Sequence, residues 1–136
     1  MNGSAPSGNS YARLWFQGGK WWFSRPGDES PCDVGRILRD KRYRIDPICR
    51  YLGVGRRTFE RVVSDSLGIA PGLWLRRQRA VAARHRLREG ASVKQLALEL
   101  GFGNESRFSD EFKRWYGVSP SGFQREEHAR MASYGL

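Results

Sequence analysis

Residues 92–124 read SVKQLALELGFGNESRFSDEFKRWYGVSPSGFQ. Val93, Leu96, Ala97 and Leu100 carry the i, i+3, i+4, i+7 spacing of one buried helix face. Ala97 is small enough to let a second helix cross closely, Gly101 supplies the positive φ of a tight turn, and Phe102 plugs the corner. An amphipathic helix follows, with Phe108 and Phe112 inward and Asn104 placed to cap its start. Short helix, glycine-containing turn and amphipathic helix together make a helix-turn-helix, whose second helix is shaped to enter a DNA major groove.

The same grammar occurs earlier in the chain. Ile45, Ile48, Cys49, Leu52, Gly53 and Val54 recur 48 positions later as Val93, Leu96, Ala97, Leu100, Gly101 and Phe102. Further on the offset is 49, pairing Phe59 with Phe108, Val63 with Phe112, Gly68 with Gly117, Pro71 with Pro120 and Trp74 with Phe123, so one residue is inserted near Gly103 and Asn104. An ordinary antiparallel helix pair has no need to repeat the same glycine, small residue and corner plug. In the first copy Phe59, Val62 and Val63 face inward, and Gly55 is a weaker cap than Asn104.

Between the copies, Pro71 to about Leu87 reads as one helix, with proline in its first turn and Gly90 at its end. About seventeen residues at ~1.5 Å rise span roughly 26 Å, enough to hold two recognition helices about one DNA turn apart. Arg76, Arg77, Arg79, Arg84, Arg86 and Arg88 lie on this connector, some expected to contact phosphate and others to keep it soluble.

The chain of 136 residues carries 24 Lys and Arg against 14 Asp and Glu, a formal charge of +10, which suits a phosphate-binding protein. Arginine dominates, since lysine occurs only as Lys20, Lys41, Lys94 and Lys113. Cys32 and Cys49 are too few and too isolated for a disulfide framework or a zinc site, and both read as buried thiols. No apolar run approaches a membrane span and the start lacks the regions of a signal peptide, so a cytoplasmic protein without membrane contact is expected. No catalytic motif surrounds His85 or His128 and no phosphate-binding glycine loop is present; neither an enzyme nor a cofactor is expected.

Residues 92–124 resemble the signature of the AraC/XylS family of bacterial transcription regulators through Ala97, Gly101, Phe102, Ser106, Phe108, Phe112, Lys113, Gly117, Pro120 and Phe123. Arg79 and Ala83 sit where that family's connecting helix carries an arginine and, four residues on, an alanine, and the likeness spans about Cys32 to Glu126. The resemblance implies an all-α DNA-binding domain of two helix-turn-helix subdomains joined by a long helix. It implies transcriptional control of double-stranded DNA, usually activation through RNA polymerase. The stand-alone members without a sensor domain are the nearest analogy.

Carried across by position, the first recognition helix offers Arg57, Glu60 and Arg61 to base edges, flanked by Arg56 and Thr58. Arginine pairs with guanine O6 and N7, and Glu60 can accept from a cytosine amino group. The alternative for Arg56 and Arg57 is a phosphate contact or a solvated helix start. Asn104, Glu105, Ser106, Arg107, Asp110 and Lys113 belong to the second recognition helix. Its acidic residues would repel phosphate, so weaker reading is expected there, with Arg107 and Lys113 supplying phosphate attraction and Asp110 bracing Arg107 or Arg114.

By this reading residues 1–30 are a flexible start and an aromatic hairpin, 31–70 the first helix-turn-helix subdomain, 71–89 the connecting helix, and 90–136 the second subdomain with a C-terminal helix. Residues 1–10, rich in Gly, Ser and Asn, are expected to be disordered. Tyr11 to Phe16 and Trp21 to Phe23 flank Gln17, Gly18, Gly19 and Lys20 as a short β-hairpin. Packing of its tryptophans on the first subdomain is the first expectation. A dimer mate or other protein partner meeting Trp15, Trp21 and Trp22 is the second, and insertion of Arg13, Lys20 or Arg25 into a minor groove the third. Two rival readings remain: a helix-turn-helix module that works through protein contacts, such as an anti-activator, and a basic RNA or single-strand binder that stacks bases on the N-terminal aromatics.

Overall fold

The computed structural model describes residues 12–135; the segment 1–10 and Tyr11, for which expectations were stated, lie outside the described residues. The chain divides into two compact units, Met1–Leu75 and Arg76–Leu136.

In the first unit, strands β1 (Arg13–Gln17) and β2 (Lys20–Ser24) form the expected antiparallel hairpin. Gln17 pairs with Lys20, so Gly18 and Gly19 are the whole turn, at φ 62° and 77°, the left-handed backbone that a two-residue hairpin demands. A third strand, β3 (Cys32–Asp33), pairs with β2. Two residues are too few to show a period of two, which is why the sequence reading passed over it. The cross-strand pair Leu14 and Phe23 is buried under the sheet.

Helix α1 (Val34–Asp40) buries Val34, Ile37 and Leu38. Arg42 and Tyr43 follow at φ 54° and 60°, and burial of the Tyr43 side chain accompanies this unusual non-glycine backbone. Helix α2 (Ile45–Leu52) buries Ile48, Cys49 and Leu52 and ends at Gly53, φ 69°. Helix α3 (Arg56–Leu67) buries Phe59, Val62 and Val63. Val54 is only half-buried, so the corner of the first copy is filled less completely than the second, where Phe102 is buried.

Helix α4 (Pro71–Arg88) carries Trp74, which is 1% exposed, in its first turn. Its ring meets Trp21 edge-on at 5.3 Å between centroids and lies 6.5 Å from Phe59, so the hairpin is anchored on its own unit as first expected. Trp21 is half-buried in this contact, and Trp15 and Trp22, paired across the strands, are likewise half-exposed.

In the second unit, α4 supplies Ala80, Ala82, Ala83 and Leu87 to the core. Helix α5 (Val93–Glu99) is capped by Ser92, whose hydroxyl accepts from the Gln95 N–H, and buries Leu96 and Ala97. Helix α6 (Glu105–Tyr116) buries Phe108 and Phe112, with Phe102 stacked on Phe108 at 4.7 Å. Helix α7 (Pro120–Ser133) sets Phe123 against Phe112 at 5.6 Å.

Most connector arginines are engaged inside this unit. Arg79 grips Glu111 through two hydrogen bonds of 3.2 and 2.6 Å and lies 4.2 Å over the Phe102 ring. Arg86 grips Glu99 at 2.9 and 3.0 Å, Arg88 meets Glu127 at 3.0 Å, and Arg84 lies over Tyr116. The hydrogen bond from Arg86 to Glu99, and a second to Glu89, hold its pKa above the ordinary value. Of the six, Arg76 and Arg77 are exposed and without an ionic partner among the described residues. Burial, with smaller contributions from neighbouring carboxylates, pushes both cysteine thiols up, consistent with packing rather than reactive roles.

Candidate nucleic-acid interface

Gly53 in its left-handed conformation turns the chain sharply, and the Val54 N–H donates back to the Cys49 carbonyl. Gly55 then serves as N-cap without a side-chain hydrogen bond, so the first turn of α3 keeps unsatisfied N–H groups. Because Phe59, Val62 and Val63 claim the inner face, the 3.6-residue period puts Arg57, Arg61 and Ser64 on the outer one. Arg57 and Arg61, one turn apart, are exposed and have no ionic partner among the described residues. That is what a base- or phosphate-contacting pair requires.

The flanking residues are less free. Arg56 donates to Asp46 at 3.3 Å and to Glu60 at 3.5 Å, joining α2 to α3 and engaging the carboxylate expected to accept from cytosine. These pairs are well exposed and weak, so a nucleic acid could displace them at little cost. Thr58 is half-buried at the edge of the helix face.

On α6 the Asn104 side chain accepts from the Arg107 N–H at 2.9 Å, so it acts first as the cap. Asn104→Ala is expected to destabilise the second unit by ~1 kcal/mol, read as a lower urea midpoint with unchanged slope. Glu105 lies in the first turn, where the helix dipole favours it. Ser106, Arg107, Asp110 and Lys113 are all exposed on the same helix. Asp110 does not brace a neighbour as expected: it shares a cleft with Arg107 and Arg114, all three exposed on the solvent side of α6, but forms no ion pair among the described residues.

Sequence reasoning missed the run 39–44, RDKRYR, in which Arg39, Arg42 and Arg44 are exposed around the link between α1 and α2. The density of basic residues was the available signal.

Residues 48–126 match the family described as Helix-turn-helix domain. The chain belongs to that family, in its AraC/XylS branch. Within the branch it is 30% identical over 80 residues to the virulence regulon transcriptional activator VirF of Yersinia enterocolitica, covering 58% of this chain and 30% of that protein. It is 34% identical over 76 residues to the HTH-type transcriptional activator RhaS of Escherichia coli O139:H28, covering 55% of this chain and 27% of that protein. The AraC/XylS-type chain thus spans about a third or less of the length of the curated relatives it matches. Among solved structures it is similar to the DNA-binding domain of AdpA, a global transcriptional factor, in complex with a target DNA, at TM-score 0.61 and 27% identity, covering 71% of this chain and 91% of that one. A regulator from Chromobacterium violaceum with an AraC-type DNA-binding domain aligns at TM-score 0.57 and 25% identity, covering 69% and 88%.

Proposed function

We propose that this chain is a sequence-specific double-stranded DNA-binding transcription regulator, acting as an activator. The observation that carries the reading is the pair of helix-turn-helix units, each ending in an amphipathic helix with an exposed polar face. In this reading α3 and α6 enter successive major grooves, and the division into 31–70, 71–89 and 90–136 corresponds to two reading heads and their connector. Arg57 and Arg61 read base edges, Arg39, Arg42 and Arg44 with Arg76 and Arg77 neutralise phosphates, and α6 reads less strictly because of Glu105 and Asp110. Glu60 reads a cytosine only after Arg56 transfers to a phosphate. The relatives' printed roles as activators support RNA polymerase as the protein partner and the cytoplasm as the place of action. No helix among the described residues is long and apolar enough to cross a membrane.

A contact with a dimer mate or polymerase through Trp15 and Trp22 is favoured by their half-exposed pairing on the outer sheet face.

Substituting the recognition arginines tests the assignment. Arg57→Ala and Arg61→Ala are each expected to relax preference at one base pair, at ~1–3 kcal/mol for a bidentate contact. A uniform loss over all duplex sequences would reassign that arginine to phosphate. The wild-type chain is expected to lose affinity steeply as salt rises, from counterion release, and a flat response would contradict the reading.

A further inference from the structure

The hairpin is more than a lid on the first core, because β1 packs along one flank of α3. Arg13 and Leu14 of β1 and Arg61, Val62, Asp65 and Ser66 of α3 together line a cleft of about 450 Å³. Arg61 belongs to two surfaces at once: it follows Arg57 by one turn on the outer face, and it forms the wall shared with β1. Arg13 therefore stands beside the α3 face proposed to read bases.

The other hairpin cations lie away from this cleft. Arg25 binds Asp28 at 3.1 Å and leans over Gly53, where a Cβ would come within 2.7 Å of its guanidinium, and Lys20 lies 3.7 Å from Asp33. Of the three cations weighed from the sequence, only Arg13 lines the cleft with a recognition-helix arginine.

We infer that the cleft between β1 and α3 binds one backbone phosphodiester of the DNA strand beside the base pair contacted by Arg61, making the hairpin a third DNA-contacting element. The cleft's formal charges are Arg13 and Arg61 against Asp65, one net positive charge, which complements the single negative charge of a phosphodiester. Asp65 would oppose a dianionic phosphate monoester more strongly. Ser66 offers a hydroxyl donor, and Leu14 and Val62 give an apolar floor against which a deoxyribose can lie. With Arg13 of β1 on the phosphate and Arg61 of α3 on the adjoining base, binding would also hold the hairpin against the reading helix. The inference rests on the duplex-binding reading above.

The test compares the full chain with Arg13→Gln on a duplex selected by the wild-type protein. Arg13→Gln is expected to bind on the order of fivefold to tenfold more weakly on every duplex, with a log–log salt slope shallower by ~0.9, the signature of one lost phosphate contact. Equal affinity and an unchanged slope would overturn the proposal while leaving the duplex reading intact. Failure of the wild-type chain to enrich any duplex would instead sink the functional reading and this inference with it. Because Arg13 is partly packed, a second measurement uses only the wild-type chain, on duplexes carrying one neutral methylphosphonate at successive positions. A sensitive phosphate adjoining the base pair that Arg61→Ala relaxes is the expected result, and no sensitivity at that flank would count against the cleft as decisively as an unchanged slope.

Discussion

Trp74→Ala is expected to destabilise the first unit by about 3–5 kcal/mol, the cost of removing a large buried aromatic whose site cannot collapse. Trp74 is 1% exposed and ties the α3 core at Phe59 to the hairpin at Trp21, reinforcing the packing of β1 along α3. An isolated two-stranded hairpin is marginal in water, so loss of this anchor should free β1 and β2 together. Tryptophan emission and urea unfolding followed on the same samples would show a lower midpoint for the first unit and a red-shifted native spectrum. A loss below ~1 kcal/mol would mean that Leu14 and Phe23 alone hold the hairpin. Trp74→Phe should be far milder, because the buried indole N–H has no hydrogen-bond partner among the described residues and its removal relieves an unsatisfied donor.

In the second unit the largest effect is expected at Glu111. Its carboxylate receives both Arg79 hydrogen bonds, and the two side chains are only 15% and 17% exposed. Glu111→Gln removes the charge but leaves the guanidinium in place over Phe102, and stranding a largely buried cation costs about 3–5 kcal/mol. The double variant Arg79→Met with Glu111→Leu should recover much of that loss, since neither charge then remains to be desolvated. Denaturation of the wild-type chain, Arg79→Met, Glu111→Leu, the double variant and Glu111→Gln under the same conditions decides the matter. Additive losses in the double variant would show that the two residues contribute separately rather than as a pair.

Much of this architecture was legible because helix-turn-helix packing imposes local constraints. The close crossing of α2 and α3 needs a small residue and a left-handed turn, and Cys49 with Gly53 states both; Ala97 with Gly101 states them again for α5 and α6. Duplication made each copy a check on the other. The hairpin was legible for the same reason, since Gly18 and Gly19 sit between two aromatic runs. Features set by distant partners were not legible. Whether Arg79 points to solvent or to Glu111, 32 positions away, is decided by tertiary packing alone, and the same holds for Arg86 with Glu99 and for the idle Asp110. The left-handed Arg42 and Tyr43 escaped because neither is glycine, and β3 because a two-residue strand has no pattern.

In the site, the outer-face positions of Arg57 and Arg61 followed from helical period, but the exchange among Asp46, Arg56 and Glu60 required the α2–α3 geometry. The nearness of Arg13 to Arg61 depends on how β1 lies along α3, which nothing in residues 13–17 discloses.

In the proposed function two helix-turn-helix units in one chain read one duplex. Selecting duplexes from a random pool with the full chain, and then footprinting the winners at single-nucleotide resolution, puts it to the most direct test. Two protected segments centred about one helical turn apart, roughly 34 Å, on the same face of the duplex are expected. Tighter capture of single strands than of any duplex, or protection of one short segment only, would contradict it.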